Sequence, residues 1–161
     1  MSIITFQKHK SKTSLITLFA AIIILFCSCQ SQKEYKYPLI ESDYSIDIFL
    51  PKYVPKDYEF KEVEISPLFV CVTYTSPAYG DLYYTQISSP NFSLSLDSEN
   101  NNITEYESEN YSGYLLTDIN INSSYLLSVY NDSNSFEISG IIDKTELFKM
   151  VESISAYTPP K

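Results

Sequence analysis

Histidine and cysteine, which often serve as general base and nucleophile, are few in this sequence of 161 residues. It has one histidine, His9, which precedes a long apolar run, and no histidine follows that run. Because imidazole is the group that most readily carries a proton or binds zinc near neutral pH, Ser-His-Asp, Cys-His and histidine-based zinc sites are excluded there. Cys71 lies in an apolar stretch, which is typical of a buried core thiol. We therefore predict no catalytic residue and no enzymatic activity.

Carboxylates are abundant, with 20 Asp and Glu, although no pair of them stands out. Hydrolysis by paired carboxylates stays open as an alternative. The stretch 97–102 alternates oxygen ligands as a calcium loop does, but Asn102 replaces the required Gly and Ser108 the bidentate Glu. A solvated loop is the simpler interpretation, and we predict no metal and no cofactor.

Glutamate and tyrosine side chains are the candidates for a binding surface. Glu105, Glu107 and Glu109 would share one face of a strand. Such a stripe is usually a solvated surface, and the alternative is a site for a cation or a basic partner. The fifteen tyrosines either fill a core without tryptophan or supply rigid amphipathic contacts to a partner. Tyr83 and Tyr84 would point to opposite faces, so we expect one in the core and one exposed.

The N-terminal region is dominated by an apolar run of twelve residues from Leu15 to Phe26. Lys8, Lys10 and Lys12 precede this run, which is the layout of a secretory signal. A membrane-spanning helix needs roughly 20 residues, so cleavage is favoured over a permanent anchor. An ordinary signal peptide and an uncleaved anchor are the alternatives.

The run ends in Phe26-Cys27-Ser28-Cys29, which resembles the bacterial lipobox. In that motif a cysteine thiol takes a diacylglyceryl group, and a small residue before it admits the signal peptidase. Ser28 is the small residue and Cys29 the acceptor, whereas Cys27 would place bulky Phe26 at the cut. Phe26 itself departs from the usual Leu. The resemblance predicts a lipoprotein signal peptide at 1–28 and a lipid on Cys29, which would anchor the chain to the outer face of the bacterial cytoplasmic membrane.

The mature chain of 133 residues from Cys29 suits one domain with a real core. It carries eight lysines against twenty acidic residues, a formal charge of −12, and it contains no arginine. Nucleic acid is therefore excluded as a partner, because it requires clustered basic residues. Once Cys29 is acylated Cys71 is the only free thiol, so no internal disulfide can form.

Composition divides the mature chain into a tether, a domain and a tail. Residues 29–43 are polar and interrupted by Pro38, which predicts a flexible tether. Residues 44–157 form the domain, and 158–161, with Pro159 and Pro160, the tail. Alternation of polar and apolar residues predicts strands at 45–50, 58–65, 68–74, 82–87, 92–96, 103–109, 111–116, 125–130 and 135–138.

Two of these segments carry more detailed predictions. The strand at 58–65 looks half solvated and edge-like, with Phe60, Glu62 and Glu64 on the face opposite Val63 and Ile65, and the strand at 68–74 looks central. The period then changes to that of a helix at 144–155. Its capping box is Asp143 with Glu146, and its apolar stripe is Leu147, Phe148, Val151 and Ile154.

A series of short motifs resembles the family known as domain of unknown function 4367, over about 46–154. The motifs are Phe49-Leu50-Pro51-Lys52-Tyr53-Val54-Pro55-Lys56-Asp57-Tyr58, Val72-Thr73-Tyr74, Gln86, Gly113, Phe136-Glu137-Ile138-Ser139-Gly140 and 146–154. Asp57 departs from the usual Gly, and Val129-Tyr130 from a frequent Trp. The family is common in lipoproteins and at the extracytoplasmic ends of membrane regulators of Gram-positive bacteria. The resemblance implies a twisted antiparallel sheet with a terminal helix, and it supplies no catalytic residues.

Together these features predict an α+β fold, a single antiparallel sheet of about six or seven strands with the C-terminal helix packed on one face. The expected function is a non-catalytic extracytoplasmic binding or sensing module, held to the membrane through the lipid on Cys29. Its expected partner is a membrane protein, a lipid or a cell-wall ligand. A structural or protein-interaction role and a carboxylate-based hydrolase are the alternatives. An apolar cleft between helix and sheet would favour the binding module. An exposed aromatic patch would favour the structural or protein-interaction role, and two convergent buried carboxylates would favour the hydrolase.

Overall fold

Residues 34–88 and 99–160 are described in this computed structural model, and nine strands and one helix follow one another within these ranges. In chain order they are β1 Phe49–Pro51, β2 Glu59–Ile65, β3 Phe69–Ser76, β4 Gly80–Ile87, β5 Asn101–Glu107, β6 Ser112–Asp118, β7 Ser124–Tyr130, β8 Ser135–Ile141, α1 Lys144–Glu152 and β9 Ile154–Ala156. The predicted strand at 92–96 and the predicted signal peptide lie outside the described residues. No helix within the described ranges is long and apolar enough to cross a membrane.

Seven of the strands form one antiparallel sheet in the order β2-β3-β4-β8-β7-β6-β5. This confirms the predicted antiparallel sheet followed by a C-terminal helix. β2 is an edge strand, as its pattern indicates, and β3 is an interior strand although β8 occupies the middle. The prediction of a single sheet is wrong in one respect, because β1 and β9 pair with each other in a separate two-stranded sheet. The strand predicted at 45–50 is thereby reduced to Phe49–Pro51.

The large sheet has two unlike faces. On the face that we call inner, Val72 and Tyr74 of β3 and Leu82 and Tyr84 of β4 are all 0% exposed. Side chains from α1, the β1–β9 pair and the chain before β1 join the same core: Ile40, Leu50, Leu147, Met150, Val151 and Ile154. We call the opposite side the outer face. The helix therefore packs on one face of the sheet, as predicted.

A bulge in β2 changes the faces predicted for that strand. Phe60 pairs with Tyr74 and Glu62 with Thr73, so Lys61 is an extra residue and the alternation shifts there. Phe60 consequently joins Val63 on the inner face and packs against the core. The prediction that Phe60 shares a face with Glu62 is wrong for this reason.

The helix begins where its capping residue predicts. The Asp143 carboxylate accepts hydrogen bonds from the backbone N–H groups of Thr145, at 2.8 Å, and Glu146, at 3.3 Å. These two bonds lower the pKa of Asp143. The helix ends at Glu152 rather than at 155, because Ile154 starts β9. The predicted stripe also included Phe148, which is only half-buried, and missed Met150, which is 0% exposed.

Gly113 marks a close approach between β6 and β7. A Cβ atom there would overlap the backbone carbonyl of Ser128, so only glycine fits without a shift of one strand. Two smaller predictions, one on β3 and one on β5, are wrong. Cys71 is only partly buried, on the outer face, and Asn102 belongs to β5 rather than to a loop.

Candidate functional site

Residues 35–40, which precede β1, lie against the domain rather than extending away from it. The Tyr35 N–H donates to the Lys52 carbonyl at 2.6 Å, and the Ile40 N–H donates to the Tyr157 hydroxyl at 3.0 Å. Ile40 is 7% exposed, and the rings of Tyr35 and Tyr37 pack on the core. The predicted tether is therefore wrong for residues 35–40, which we call the N-terminal segment. Polar composition concealed this docking because its apolar contacts come from tyrosine rings.

Tyrosine hydroxyls fasten this segment to the sheet. Tyr37 donates its proton to the Pro51 carbonyl at 2.7 Å, and its oxygen lies 2.6 Å from the hydroxyl oxygen of Tyr74. Because each hydroxyl has one proton, Tyr74 must be the donor in the second bond. Burial raises the pKa of Tyr37 and holds that of Tyr74 well above its ordinary value, so both rings stay neutral.

Gln86 fastens the next part of the chain in the same way. It is fully buried on the inner face, where its amide donates to the Asp47 carbonyl at 2.7 Å and accepts from the Phe49 N–H at 2.8 Å. Tyr84 adds a bond from its hydroxyl to the Phe49 carbonyl at 2.7 Å. One amide thus binds two backbone groups at the start of β1, one on each side of Ile48. The signal in the sequence was a polar residue at an inward position of an otherwise apolar alternation.

A cleft of about 380 Å³ opens between the N-terminal segment and the chain around β9, and we call it the terminal cleft. Its lining is Glu34, Tyr35, Lys36, Tyr37, Leu50, Lys52, Ser155, Ala156, Tyr157, Thr158 and Pro160. Tyrosine rings and small apolar groups form its walls. The cleft lies beside the small β1–β9 sheet, and its lining contains no residue of α1.

Polar groups of the terminal cleft are unevenly satisfied. The Lys52 ammonium pairs with Glu34 at 3.5 Å, and both side chains are more than half exposed. In contrast, the Ser155 hydroxyl is buried and has no hydrogen-bond partner. Buried hydroxyl groups in proteins are almost always paired, so an unpaired one at the wall of a cleft is a feature that requires an explanation. Nothing in the sequence singles out Ser155.

The outer face carries a row of side chains that crosses all seven strands. Successive pairings align Glu64, Cys71, Thr85, Glu137, Ser128, Tyr114 and Glu105, and we call these residues the central row. A glutamate stands at each end and in the middle. Since the row depends on the register of six strand pairs, the sequence alone could not reveal it.

Glu137 has unusual surroundings for a carboxylate. Thr85 and Ser128 flank it across the strands, and Ser135 and Ser139 along its own strand. Its Oε1 atom is buried without a hydrogen-bond partner. Burial raises the pKa of Glu137, and a hydrogen bond from Ser128 opposes that effect only in part.

Charge is distributed unequally between the two sides of the sheet. Eight strand carboxylates belong to the outer face: Glu59, Glu62, Glu64, Asp81, Glu105, Glu107, Asp118 and Glu137. Lys61 is the only lysine in the described strands, and it is paired with Asp81 at 2.8 Å. The remaining lysines of the described ranges lie in the chain before β2 or in α1: Lys36, Lys52, Lys56, Lys144 and Lys149.

Exposed tyrosines accompany these carboxylates. Tyr83, Tyr114 and Tyr130 belong to the outer face and are 45%, 37% and 53% exposed. Tyr84, beside Tyr83 in β4, is 0% exposed, which confirms that the two rings take opposite faces. The tyrosines thus serve both uses considered from the sequence, because others fill the core. Glu105 and Glu107 share the outer face as predicted, whereas Glu109 follows β5 in a bend.

Other groups with possible chemistry are engaged or isolated. A second cavity, of about 210 Å³, is lined by Asp57, Asp143 and Glu146 among others. Asp143 caps the helix there, and Glu146 binds Lys149 at 2.8 Å and accepts a hydrogen bond from Tyr53. No group of three acidic, cysteine or histidine residues in the described ranges is placed to hold a metal ion. Cys29, the predicted lipid attachment site, lies outside those ranges and stays a prediction.

Comparison with curated proteins found no match to this chain. The model of a family described as Domain of unknown function (DUF4367) matches residues 48–154, which is more than half of the chain. The match covers the sheet from β1 to β8, the helix and the start of β9. It confirms the resemblance drawn from the sequence motifs, and the chain therefore belongs to the DUF4367 family.

Proposed function

We propose that this protein is a non-catalytic binding module, anchored by a lipid on Cys29 to the outer face of a bacterial cytoplasmic membrane, and that its terminal cleft holds the ligand. The observation that carries the proposal is the buried, unpaired hydroxyl of Ser155, a residue that lines the cleft. Leaving a buried hydroxyl unpaired costs about 1–3 kcal/mol. A ligand that accepts or donates a hydrogen bond there would offset this cost.

The size and lining of the cleft suit an amphiphile with an anionic group. A volume of about 380 Å³ falls at the small end of the range for ligand sites in proteins, roughly 300–1,000 Å³. The rings of Tyr35, Tyr37 and Tyr157 offer apolar surface. Lys36 and Lys52 bring two positive charges to the cleft, against one negative charge on Glu34, which pairs with Lys52. Headgroups of anionic lipids and anionic cell-wall polymers share this chemistry.

The position of the cleft in the chain favours a ligand at the membrane surface. Glu34, in the lining, follows Cys29 by only five residues. Five extended residues span at most about 18 Å. A lipid on Cys29 would therefore keep the cleft close to the headgroups and raise their effective concentration without any further contact.

The state of the lining tyrosines supports binding rather than catalysis. Burial raises the pKa of Tyr35 and Tyr37, so neither hydroxyl is prepared to exchange a proton near neutral pH. Burial also raises the pKa of Glu137, and a carboxylate-based hydrolase would need a second acid beside this residue. The strand and cross-strand neighbours of Glu137 carry hydroxyl groups.

The test is a titration of the full chain, purified in detergent, with three probes. These are nanodiscs of phosphatidylglycerol, nanodiscs of phosphatidylcholine and a soluble anionic cell-wall polymer without acyl chains. Acyl chains on Cys29 would attach the protein to either nanodisc. We therefore expect tighter binding to phosphatidylglycerol than to phosphatidylcholine if the ligand is a lipid, and saturable binding to the polymer if it is a cell-wall component. Ser155→Ala should weaken that binding about fivefold, the equivalent of one hydrogen bond of about 1 kcal/mol. Ser133→Ala, in the exposed β7–β8 turn, is the matched control and should leave it unchanged.

Two results would contradict the proposal. Equal affinity of Ser155→Ala and the unaltered chain for the anionic probe would show that Ser155 of the terminal cleft does not contact the ligand. Turnover of a substrate that disappears when one or two carboxylates are neutralised would refute the non-catalytic assignment.

A further inference from the structure

We infer that the outer face of the sheet is a docking surface for an extended basic polypeptide segment, whose lysine or arginine side chains pair with the central row at Glu137 and its two terminal glutamates. This proposal is independent of the terminal cleft, which is built on the small β1–β9 sheet. It rests on charge, on an unpaired group and on spacing.

Charge complementarity defines the class of partner. The outer face has eight strand carboxylates, and Lys61, the only lysine in the described strands, is already paired with Asp81. A surface of one sign attracts a partner of the other sign and raises its rate of association. The exposed rings of Tyr83, Tyr114 and Tyr130 add surfaces on which a guanidinium or ammonium group can stack.

The unpaired carboxylate oxygen of Glu137 locates the centre of the surface. Its Oε1 atom has no partner, although the side chain as a whole is only partly buried. Because the side chain is only partly buried, an incoming cation can approach the carboxylate from the solvent side and pair with it. Such a pair, partly shielded from water, is stronger than one at a fully exposed site. The hydroxyl groups of Ser135 and Ser139 stand beside it on the same strand.

Spacing separates a polypeptide from a small cation. Neighbouring strands lie about 4.8 Å apart, and three strand intervals separate Glu137 from each of Glu64 and Glu105. The three carboxylates are therefore about 14 Å from one another along the row and span about 29 Å. An extended chain advances about 3.4 Å per residue, so it meets one glutamate at about every fourth position. A single small cation cannot occupy three such positions.

The experiment uses the full chain and two synthetic peptides of identical composition. One peptide carries lysine at every fourth residue between serines, and the other carries its lysines in one block. We expect the spaced peptide to bind at least about fivefold more tightly than the block peptide at low salt, with affinity falling as salt rises. Glu137→Gln should weaken the spaced peptide about tenfold, which is the loss of one charge-assisted hydrogen bond. Glu109→Gln, in the bend after β5, is the matched control and should change the affinity less than twofold.

Each other outcome overturns the inference. Equal affinity for both peptides would show attraction by net charge alone, and an unchanged affinity of Glu137→Gln would remove the central row. Competition by an equimolar polyamine would indicate a small-cation site. Self-association of the chain that Glu137→Gln abolishes would assign the face to a second copy. A thermal unfolding curve for each variant confirms that the compared proteins are folded.

Discussion

Removal of the Tyr37 hydroxyl should destabilise the protein more than removal of the Tyr74 hydroxyl, although the two groups share one hydrogen bond. Tyr37 donates to the Pro51 carbonyl at 2.7 Å and accepts from Tyr74 at 2.6 Å. Tyr74 is 0% exposed, so its hydroxyl has no access to water. The two substitutions to phenylalanine therefore leave different groups behind.

The expected magnitudes follow from which group loses its partner. Tyr37→Phe leaves the Tyr74 O–H buried without an acceptor, and the free energy of unfolding should fall by about 2–3 kcal/mol. Tyr74→Phe removes one bond and keeps the bond from Tyr37 to Pro51, so the loss should be about 1 kcal/mol. In the double variant no buried hydroxyl remains unpaired. Its loss should be smaller than that of Tyr37→Phe alone, a non-additivity typical of groups in contact.

Urea unfolding of the four proteins measures this cycle directly. Tyr44→Phe is the matched control, because Tyr44 is 46% exposed in the same part of the chain and should lose less than about 0.5 kcal/mol. A loss for Tyr37→Phe no larger than that for Tyr74→Phe, or strict additivity in the double variant, would refute the hydrogen-bond direction and the docking of the N-terminal segment.

Three further predictions test other parts of the molecule. Burial raises the pKa of Glu137 above 4.5, so the folded state binds this proton more tightly than the unfolded state does. The free energy of unfolding should therefore fall as pH rises from about 4.5 through the raised pKa. Glu137→Gln should reduce this pH dependence in urea unfolding, and an unchanged pH dependence would contradict the prediction. Leu147→Ala should lower the free energy of unfolding by about 2–5 kcal/mol, because Leu147 is 0% exposed. Phe148→Ala should lower it by only about 1–2 kcal/mol, because Phe148 is half-buried. Thermal unfolding measures both, and a larger loss for Phe148→Ala would contradict this order. Cys29→Ala should abolish incorporation of a labelled fatty acid, and equal labelling of both proteins would end the lipobox interpretation.

The features predicted correctly from sequence are those set by neighbours in the chain. The β3–β4 hairpin turns at Gly80, whose φ is 80°, and turn residues there are enough to indicate it. Asp143 starts the helix because its side chain reaches N–H groups two and three residues on. Alternation likewise separates Tyr83 from Tyr84, since it needs no information beyond the strand itself.

The features missed depend on residues far apart in the chain. Ile154 fits the apolar stripe of the helix, and only its pairing with Pro51 makes it part of β9. The bulge at Lys61 appears only when β2 is set against β3. The same holds for the candidate sites, because Ser155 and Glu137 acquire their significance from burial and register rather than from a motif.

The pairing of β1 with β9 also determines the order in which the protein can fold. Leu50 pairs with Ser155, and the Ile40 N–H donates to the hydroxyl of Tyr157, so this part of the domain finds its partners far later in the chain. Contacts of such high sequence separation form late, because closing a long loop costs entropy before the contact repays it. The hairpins of the large sheet can assemble as they emerge, but β1 has no strand partner until β9 has been added. A chain terminated at Ile154 would therefore retain the strands of the large sheet but lose β9, so the native placement of Ile40 and β1 depends on residues 155–157.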